Sequence, residues 1–163
     1  MSAFKVRVAL EEVDFLWDQR EVFQFRELWK SNYTLLEISK RFKRKQIEVA
    51  ALILDQVDKF KIHKRKIGLG EIGDDNIRNK KKKEIPPYIY IALEEVNFIW
   101  NKDDIELFKN LWMQQLGIEE MANKLRRHQI EIATLLLDQF GLEYMINCLI
   151  DTKKGCLINL LRE

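Results

Sequence analysis

Proline occurs only twice and glycine only six times in 163 residues. That scarcity excludes collagen-like and low-complexity chains and suits helices joined by short turns. Cysteine is nearly absent too. Cys148 and Cys156 are too few to staple a small secreted fold. With no secretory signal in Met1–Leu10, both are expected as free thiols in a reducing cytoplasm. No apolar run approaches the roughly 20 residues that a membrane span needs, so no membrane contact is expected. The two histidines, His63 and His128, lack the Cys, Ser or carboxylate neighbours of a triad or a metal site. No phosphate-binding loop or dinucleotide fingerprint is present, and Gly68-Leu69-Gly70 is only a turn-like fragment. The best acid–base candidates, Glu11-Glu12 and Glu94-Glu95, recur at one place in two copies and read as solvated or capping carboxylates. No enzymatic activity, cofactor or metal is expected.

What remains is a composition fit to build a core. Hydrophobic residues make up 47% and charged residues 33%, with nine Phe, four Trp and four Tyr. The net charge of +2 conceals an asymmetry. Residues 1–87 hold 20 Lys/Arg against 14 Asp/Glu, a net of +6, whereas residues 88–163 hold 8 against 12, a net of −4. Contact with a polyanion is therefore expected on the first half.

An internal repeat organises the chain. Shifted by 83 positions, Ala9–Val57 falls on Ala92–Phe140 without a gap, and 20 of 49 positions are identical. Ala9-Leu10-Glu11-Glu12-Val13 recurs as Ala92-Leu93-Glu94-Glu95-Val96. Phe15, Trp17, Phe25, Leu28 and Trp29 recur as Phe98, Trp100, Phe108, Leu111 and Trp112. Gln46-Ile47-Glu48 and Leu54-Asp55-Gln56 recur as Gln129-Ile130-Glu131 and Leu137-Asp138-Gln139. Residues 68–87 separate the copies with three glycines, the run Lys80–Lys83 and Pro86-Pro87, a linker composition. The expected organisation is a first unit over 1–67, a basic Gly/Lys/Pro linker over 68–87, and a second unit over 88–163 ending in an apolar helical extension. The four lysines fit either a solvated tether or a phosphate-binding arm.

Within a unit, Lys5–Val8 and Tyr88–Ala92 are rich in strand-favouring residues and read as short N-terminal strands. Val22, Phe25, Leu28 and Trp29, repeated as Ile105, Phe108, Leu111 and Trp112, have the spacing of an amphipathic helix with an aromatic core stripe. Asp103 and Asp104 suit the positive end of the second copy's helix. Thr34 and Glu37 have capping-box spacing, and Gly117 and Glu120 take those places in the second copy. A short helix to Phe42, a tight turn at Lys43-Arg44, and a last helix from about Lys45 to Gln56 complete the unit. The fold class is mainly α: two repeated three-helix units, each opening with a short strand.

The segments Glu37–Leu52 and Glu120–Leu135 resemble the helix-turn-helix motif. A small residue, Ser39 or Ala122, stands where two helices approach. Apolar Ile38, Phe42, Val49 and Leu52 fill the angle between them. The stretch from Trp100 to Trp112 also looks like the start of a Myb or SANT-type repeat. The chain thus resembles tandem helix-turn-helix proteins, homeodomain-like and Myb/SANT-like, of Gram-positive bacteria and their phages, over about 40 residues per unit. One departure is that Lys43 and Arg126 occupy the turn position usually held by Gly.

The resemblance implies double-stranded DNA as partner, with the motif's second helix in the major groove. Carried over by position, Lys45, Gln46 and Ala51 would face bases, and Lys43 and Arg44 would sit on phosphates. Lys61, Lys64, Arg65 and Lys66, with Lys59 and His63, form a basic strip suited to the backbone. Arg126, Arg127 and Gln129 are the second copy's equivalents. Two features point elsewhere. The candidate recognition helix is apolar on most sides (Ile47, Val49, Ala50, Ala51, Leu52, Ile53, Leu54), and Glu48 adds a negative charge near its start. A helix of that kind is usually buried. The second copy loses the basic strip and gains Gly141–Ile146, Cys148–Ile150 and Leu157–Leu161, which fits a homodimer or protein contact. Two functions stay open: a DNA-binding regulator, and a protein-interaction module on degenerate helix-turn-helix units.

Overall fold

The computed structural model describes residues 6–63, 65–73 and 89–150. Lys64, the lysine run, Cys156 and the tail Leu157–Leu161 lie outside the described residues, as does the side chain of Cys148. The described chain is mainly helical. Its elements are β1 (Val6–Val8), β2 (Leu16–Asp18), α1 (Gln19–Lys30), α2 (Leu35–Phe42), α3 (Gln46–Asp58), β3 (Ile89–Ile91), β4 (Ile99–Asn101), α4 (Lys102–Met113), α5 (Ile118–Leu125) and α6 (Gln129–Ile150). No helix of the described residues is long and apolar enough to cross a membrane.

These elements form two compact units. One holds β2, α1, α2, α3 and β3, within residues 13–94. The other holds β1, with residues up to 12, and β4, α4, α5 and α6, from residue 95 onward. Each unit therefore takes one strand from the other repeat. The linker boundary expected from composition separates the repeats and not the compact units. Strand β3 pairs antiparallel with β2, placing Ile91 opposite Leu16, Tyr90 opposite Trp17 and Ile89 opposite Asp18. Strand β1 pairs antiparallel with β4, placing Arg7 opposite Trp100 and Val8 opposite Ile99. The chain passes from one unit to the other between Glu12 and Val13 and again between Glu94 and Glu95. Both crossings fall inside the same repeated pentapeptide.

Local sequence explains most helix ends. The carboxylate of Asp18 accepts the Arg20 amide at the start of α1, and the Asn101 side chain accepts the Asp104 amide at the start of α4. At α2 the capping box is complete, with Thr34 and Glu37 each satisfying the other's amide. Gly117 begins α5 with no side-chain cap. At the C-termini of α2 and α5, Lys43 (φ 53°) and Arg126 (φ 55°) adopt the left-handed conformation despite carrying a Cβ. Both turns thus reach the left-handed backbone without a glycine. Helix α6 runs past the length of α3 to Ile150, broken at Gly141, whose φ of 70° and ψ of −164° are non-helical.

The core of the α1–α3 unit comprises Trp17, Val22, Phe25, Trp29, Leu35, Ile38 and the whole middle of α3. The core of the α4–α6 unit repeats it with Trp100, Phe108, Leu111, Ile118, Met121 and Ile132–Leu137. Eleven of the thirteen residues of α3 are buried, all except Ile47 and Asp58. A helix covered on every side belongs to the interior and not to a ligand-facing surface.

Candidate functional site

The residues expected at DNA fall into three groups. Gln46 and Ala51 are each about 1% exposed. The Gln46 side chain is engaged with the backbone of Gly73, donating to its carbonyl and accepting its amide. This fold therefore gives neither residue a base edge to touch. Its counterpart Gln129 is half-buried.

Arg44 and Arg127 form the second group, and their placement corrects the phosphate-contact expectation. Arg44 is 6% exposed. Its guanidinium lies 4.0 Å from the Trp17 ring centroid. Nη1 donates to the Leu16 carbonyl at 2.9 Å and Nη2 to the Asp14 carbonyl at 3.0 Å. Nε stands 3.0 Å from Glu48 Oε2, one helical turn on. Arg127 repeats this: 3.8 Å from the Trp100 centroid, with Nη1 to Ile99 O at 3.1 Å, Nη2 to Asn97 O at 2.9 Å and Nε 2.6 Å from Glu131 Oε2. A planar fork with five donors is suited to stack on an aromatic face while serving a carboxylate and two carbonyls. Each arginine clamps the loop that leads into β2 or β4. The signal was in the sequence: Arg, a Glu four residues on, and Trp are identical in both copies.

The third group remains on the surface. Lys43, Lys45, Lys61, Lys66 and Arg126 are exposed, as are Lys40, Arg41, Lys59, Lys124 and His128. Arg65 differs from its neighbours in the basic strip. It stacks 3.7 Å from the Trp29 centroid and donates to Gly68 O at 2.7 Å and Trp29 O at 2.8 Å. Burial pushes its pKa down to about 10, against the pull of Glu37, so it stays cationic at neutral pH.

Sequence reasoning did not find a fourth feature, a carboxylate that locks each crossing strand. Leu93 (φ 55°) and Leu10 (φ 54°) are left-handed at the two crossings. The Leu93 amide donates to Asp55 Oδ1 at 2.9 Å, and the Leu10 amide to Asp138 Oδ1 at 3.0 Å. Asp55 is 2% exposed and also accepts the Tyr90 hydroxyl at 2.5 Å. Lys59 Nζ lies 3.0 Å from Asp55 Oδ1 and donates to the Tyr90 oxygen at 2.9 Å. Burial and the Asp55 hydrogen bond raise the Tyr90 pKa, with Lys59 opposing. Burial lowers the Lys59 pKa, but its bonds to Tyr90 and Asp55 outweigh that and raise it overall. In the other unit Arg7, the counterpart of Tyr90, pairs with Asp138 at 3.0 Å. The repeated Leu-Asp-Gln triplet therefore holds the strand arriving from the other repeat.

Among the described residues no group of three or more His, Cys, Asp or Glu side chains could hold a metal ion. No protein-family model, curated protein or solved structure matches the chain.

Proposed function

We propose that the chain is a non-enzymatic protein-interaction module built on two degenerate three-helix helix-turn-helix units. The observation that carries this reading is the burial of α3, including Gln46 and Ala51. A recognition helix reads bases only with its early residues exposed in the major groove. Here those positions serve the core. The surface offers apolar side chains instead. Leu16 (45% exposed) stands opposite Ile91 on one ribbon, and Val8 opposite Ile99 (56% exposed) on the other. Cross-strand apolar pairs exposed at one place in both units suit contact with an apolar surface of a partner protein.

Phosphate contact is a second reading, favoured by one observation. Lys40, Arg41, Lys43 and Lys45 all stand exposed around the α2–α3 turn. Such contacts position a protein on DNA without reading sequence. A fluorescence-anisotropy titration with duplexes of varied sequence, at low and moderate salt, separates the two. The interaction-module reading expects weak, sequence-indifferent binding that moderate salt abolishes. Sequence-selective binding that survives moderate salt overturns it. On the protein side, partners captured by the intact chain are expected to be lost from the Leu16→Lys/Ile99→Lys variant. Retention of the same partners by that variant contradicts the ribbon surface.

A further inference from the structure

Two surface features recur in both units and adjoin each other. The first is the apolar pair on each strand ribbon, Leu16 opposite Ile91 and Val8 opposite Ile99, all exposed. Ile89, also exposed, shares the face of Ile91 because side chains alternate along a strand. The second is the helix turn that carries the clamp. From that turn Arg44 reaches the Leu16 carbonyl, and Arg127 reaches the Ile99 carbonyl. The chain neighbours of Arg44 are Lys43 and Lys45, and those of Arg127 are Arg126 and His128; all four are exposed. A single arginine side chain therefore spans from each apolar pair to a pair of basic residues.

The backbone at these turns is costly. Lys43 and Arg126 are left-handed, where a residue with a Cβ is less stable than glycine. Among the described residues neither side chain has a hydrogen-bond or ion-pair partner to offset that cost. Strained backbone persists at places where a protein meets a ligand. The charge is also retained selectively. Lysine in the first copy becomes arginine in the second, whereas residues 142–149, the counterparts of the basic strip 59–66, hold no Lys or Arg.

The carboxylates nearest the turns are already engaged. Glu48 and Asp14 lie 3.0 Å and 3.9 Å from Arg44, Asp18 lies 2.7 Å from Arg20, and Glu131 lies 2.6 Å from Arg127. Asn97 and Asn101 replace Asp14 and Asp18 in the second copy. The basic residues are thus left to attract a negative charge from outside.

We propose that each of these two composite surfaces binds an acidic segment of a partner protein. Bulky apolar side chains of the segment lie on the strand pair. Its carboxylates meet Lys43 and Lys45 in one unit, and Arg126 and His128 in the other. This inference rests on the interaction-module reading and supplies the partner's chemistry. A nucleic-acid backbone would satisfy the cations but would press ionised oxygens against the apolar pair, at the cost of their hydration.

The test titrates a short fluorescent peptide of alternating Glu and Leu into the full chain, followed by anisotropy. One comparison peptide has Ser in place of Leu, and another has Lys in place of Glu. Two bound peptides per chain are expected, at least about tenfold tighter than either comparison peptide. Lys43→Glu/Lys45→Glu is expected to remove one of the two sites, and Arg126→Glu/His128→Glu the other. The neutral pairs Lys43→Gln/Lys45→Gln and Arg126→Gln/His128→Gln should each weaken one site, with melting curves like the parent's. No binding, binding unmoved by charge reversal, or equal binding of the Lys peptide overturns the proposal. Equal binding of the Ser peptide, or full displacement by random duplex DNA at lower concentration, also overturns it and assigns the turns to phosphate. If the peptide fails while partner capture still depends on Leu16 and Ile99, the acidic chemistry falls and the interaction-module reading stands. Sequence-selective duplex binding removes that reading itself.

Discussion

The α1–α3 and α4–α6 units share a frame and differ in how tightly it is closed. Each has an arginine stacked on tryptophan and paired with glutamate, and an aspartate holding a left-handed leucine. In the α1–α3 unit these groups are the more buried: Arg44 has 7% of its side chain exposed and Asp55 2%, against 15% for Arg127 and 13% for Asp138. Residues identical between the repeats thus build the frame, and residues that differ, such as Tyr90 against Arg7, set its strength.

The largest expected effect comes from the clamps. Arg44→Ala takes the stacked guanidinium away from the buried Glu48 and strips donors from two carbonyls. A loss of about 3–5 kcal/mol in urea unfolding is expected. Arg127→Ala should cost about 1–2 kcal/mol less, because water reaches Glu131 more readily. Equal losses would erase the distinction between the units.

The locks come next. Asp55→Ala orphans the Leu93 amide and takes the acceptor from the Tyr90 hydroxyl proton, for about 2–3 kcal/mol, with Asp138→Ala smaller at roughly 1–2 kcal/mol. Residue-resolved hydrogen exchange reads each lock directly: Leu93 should lose protection in the first variant and Leu10 in the second.

Smaller still is the strain at the turns. Left-handed backbone costs a residue with a Cβ about 1–2 kcal/mol, partly offset by the greater entropy glycine loses on folding. Lys43→Gly and Arg126→Gly are each expected to stabilise by about 0.5 kcal/mol in thermal melts. Destabilisation by either would place the side chain in a contact that outweighs the strain.

The smallest effect is a pH response confined to one unit. The folded pKa of Tyr90 lies above its usual 10.0 and that of Lys59 above its usual 10.5. In both cases the protonated form is the one the fold favours. Their contribution is fully present below about pH 10 and is lost as pH rises through the folded values. Ultraviolet titration of the chain against Tyr90→Phe should show one tyrosine ionising late. A Tyr90 titrating at its ordinary value would remove the difference, since Arg7 takes its place in the other unit.

Much of this architecture was legible in the sequence. The repeat, the aromatic stripe of α1 and the Thr34–Glu37 capping box all follow local rules, and each is where periodicity and cap chemistry put it. The left-handed turns at Lys43 and Arg126 were not legible, because a residue with a Cβ disfavours that backbone and the missing glycine argued against the geometry both turns adopt. The strand exchange was not legible. Leu16-Trp17 and Ile99-Trp100 offer nearly the same acceptor, so three-residue strands carry no information about which repeat they will join. The two arginines were misread because a basic residue at a helix-turn-helix turn ordinarily meets phosphate. The glutamate at i+4 and the tryptophan, both kept in each copy, were the evidence for a buried clamp. The burial of α3 was foreshadowed by its apolar run and by Glu48, which turned out to be the partner of Arg44.

The exchange of strands between repeats is tested most directly by cutting the chain. A protease site placed in the linker between residues 74 and 87, cleaved under native conditions, should leave two fragments that elute together. β3 of one fragment stays on β2 of the other, and β1 on β4, and both must release at once for separation. Co-elution that ends only in denaturant is the expected result. Two fragments that separate freely, each folded alone, would contradict the account, because each repeat would then be complete without the strand of the other.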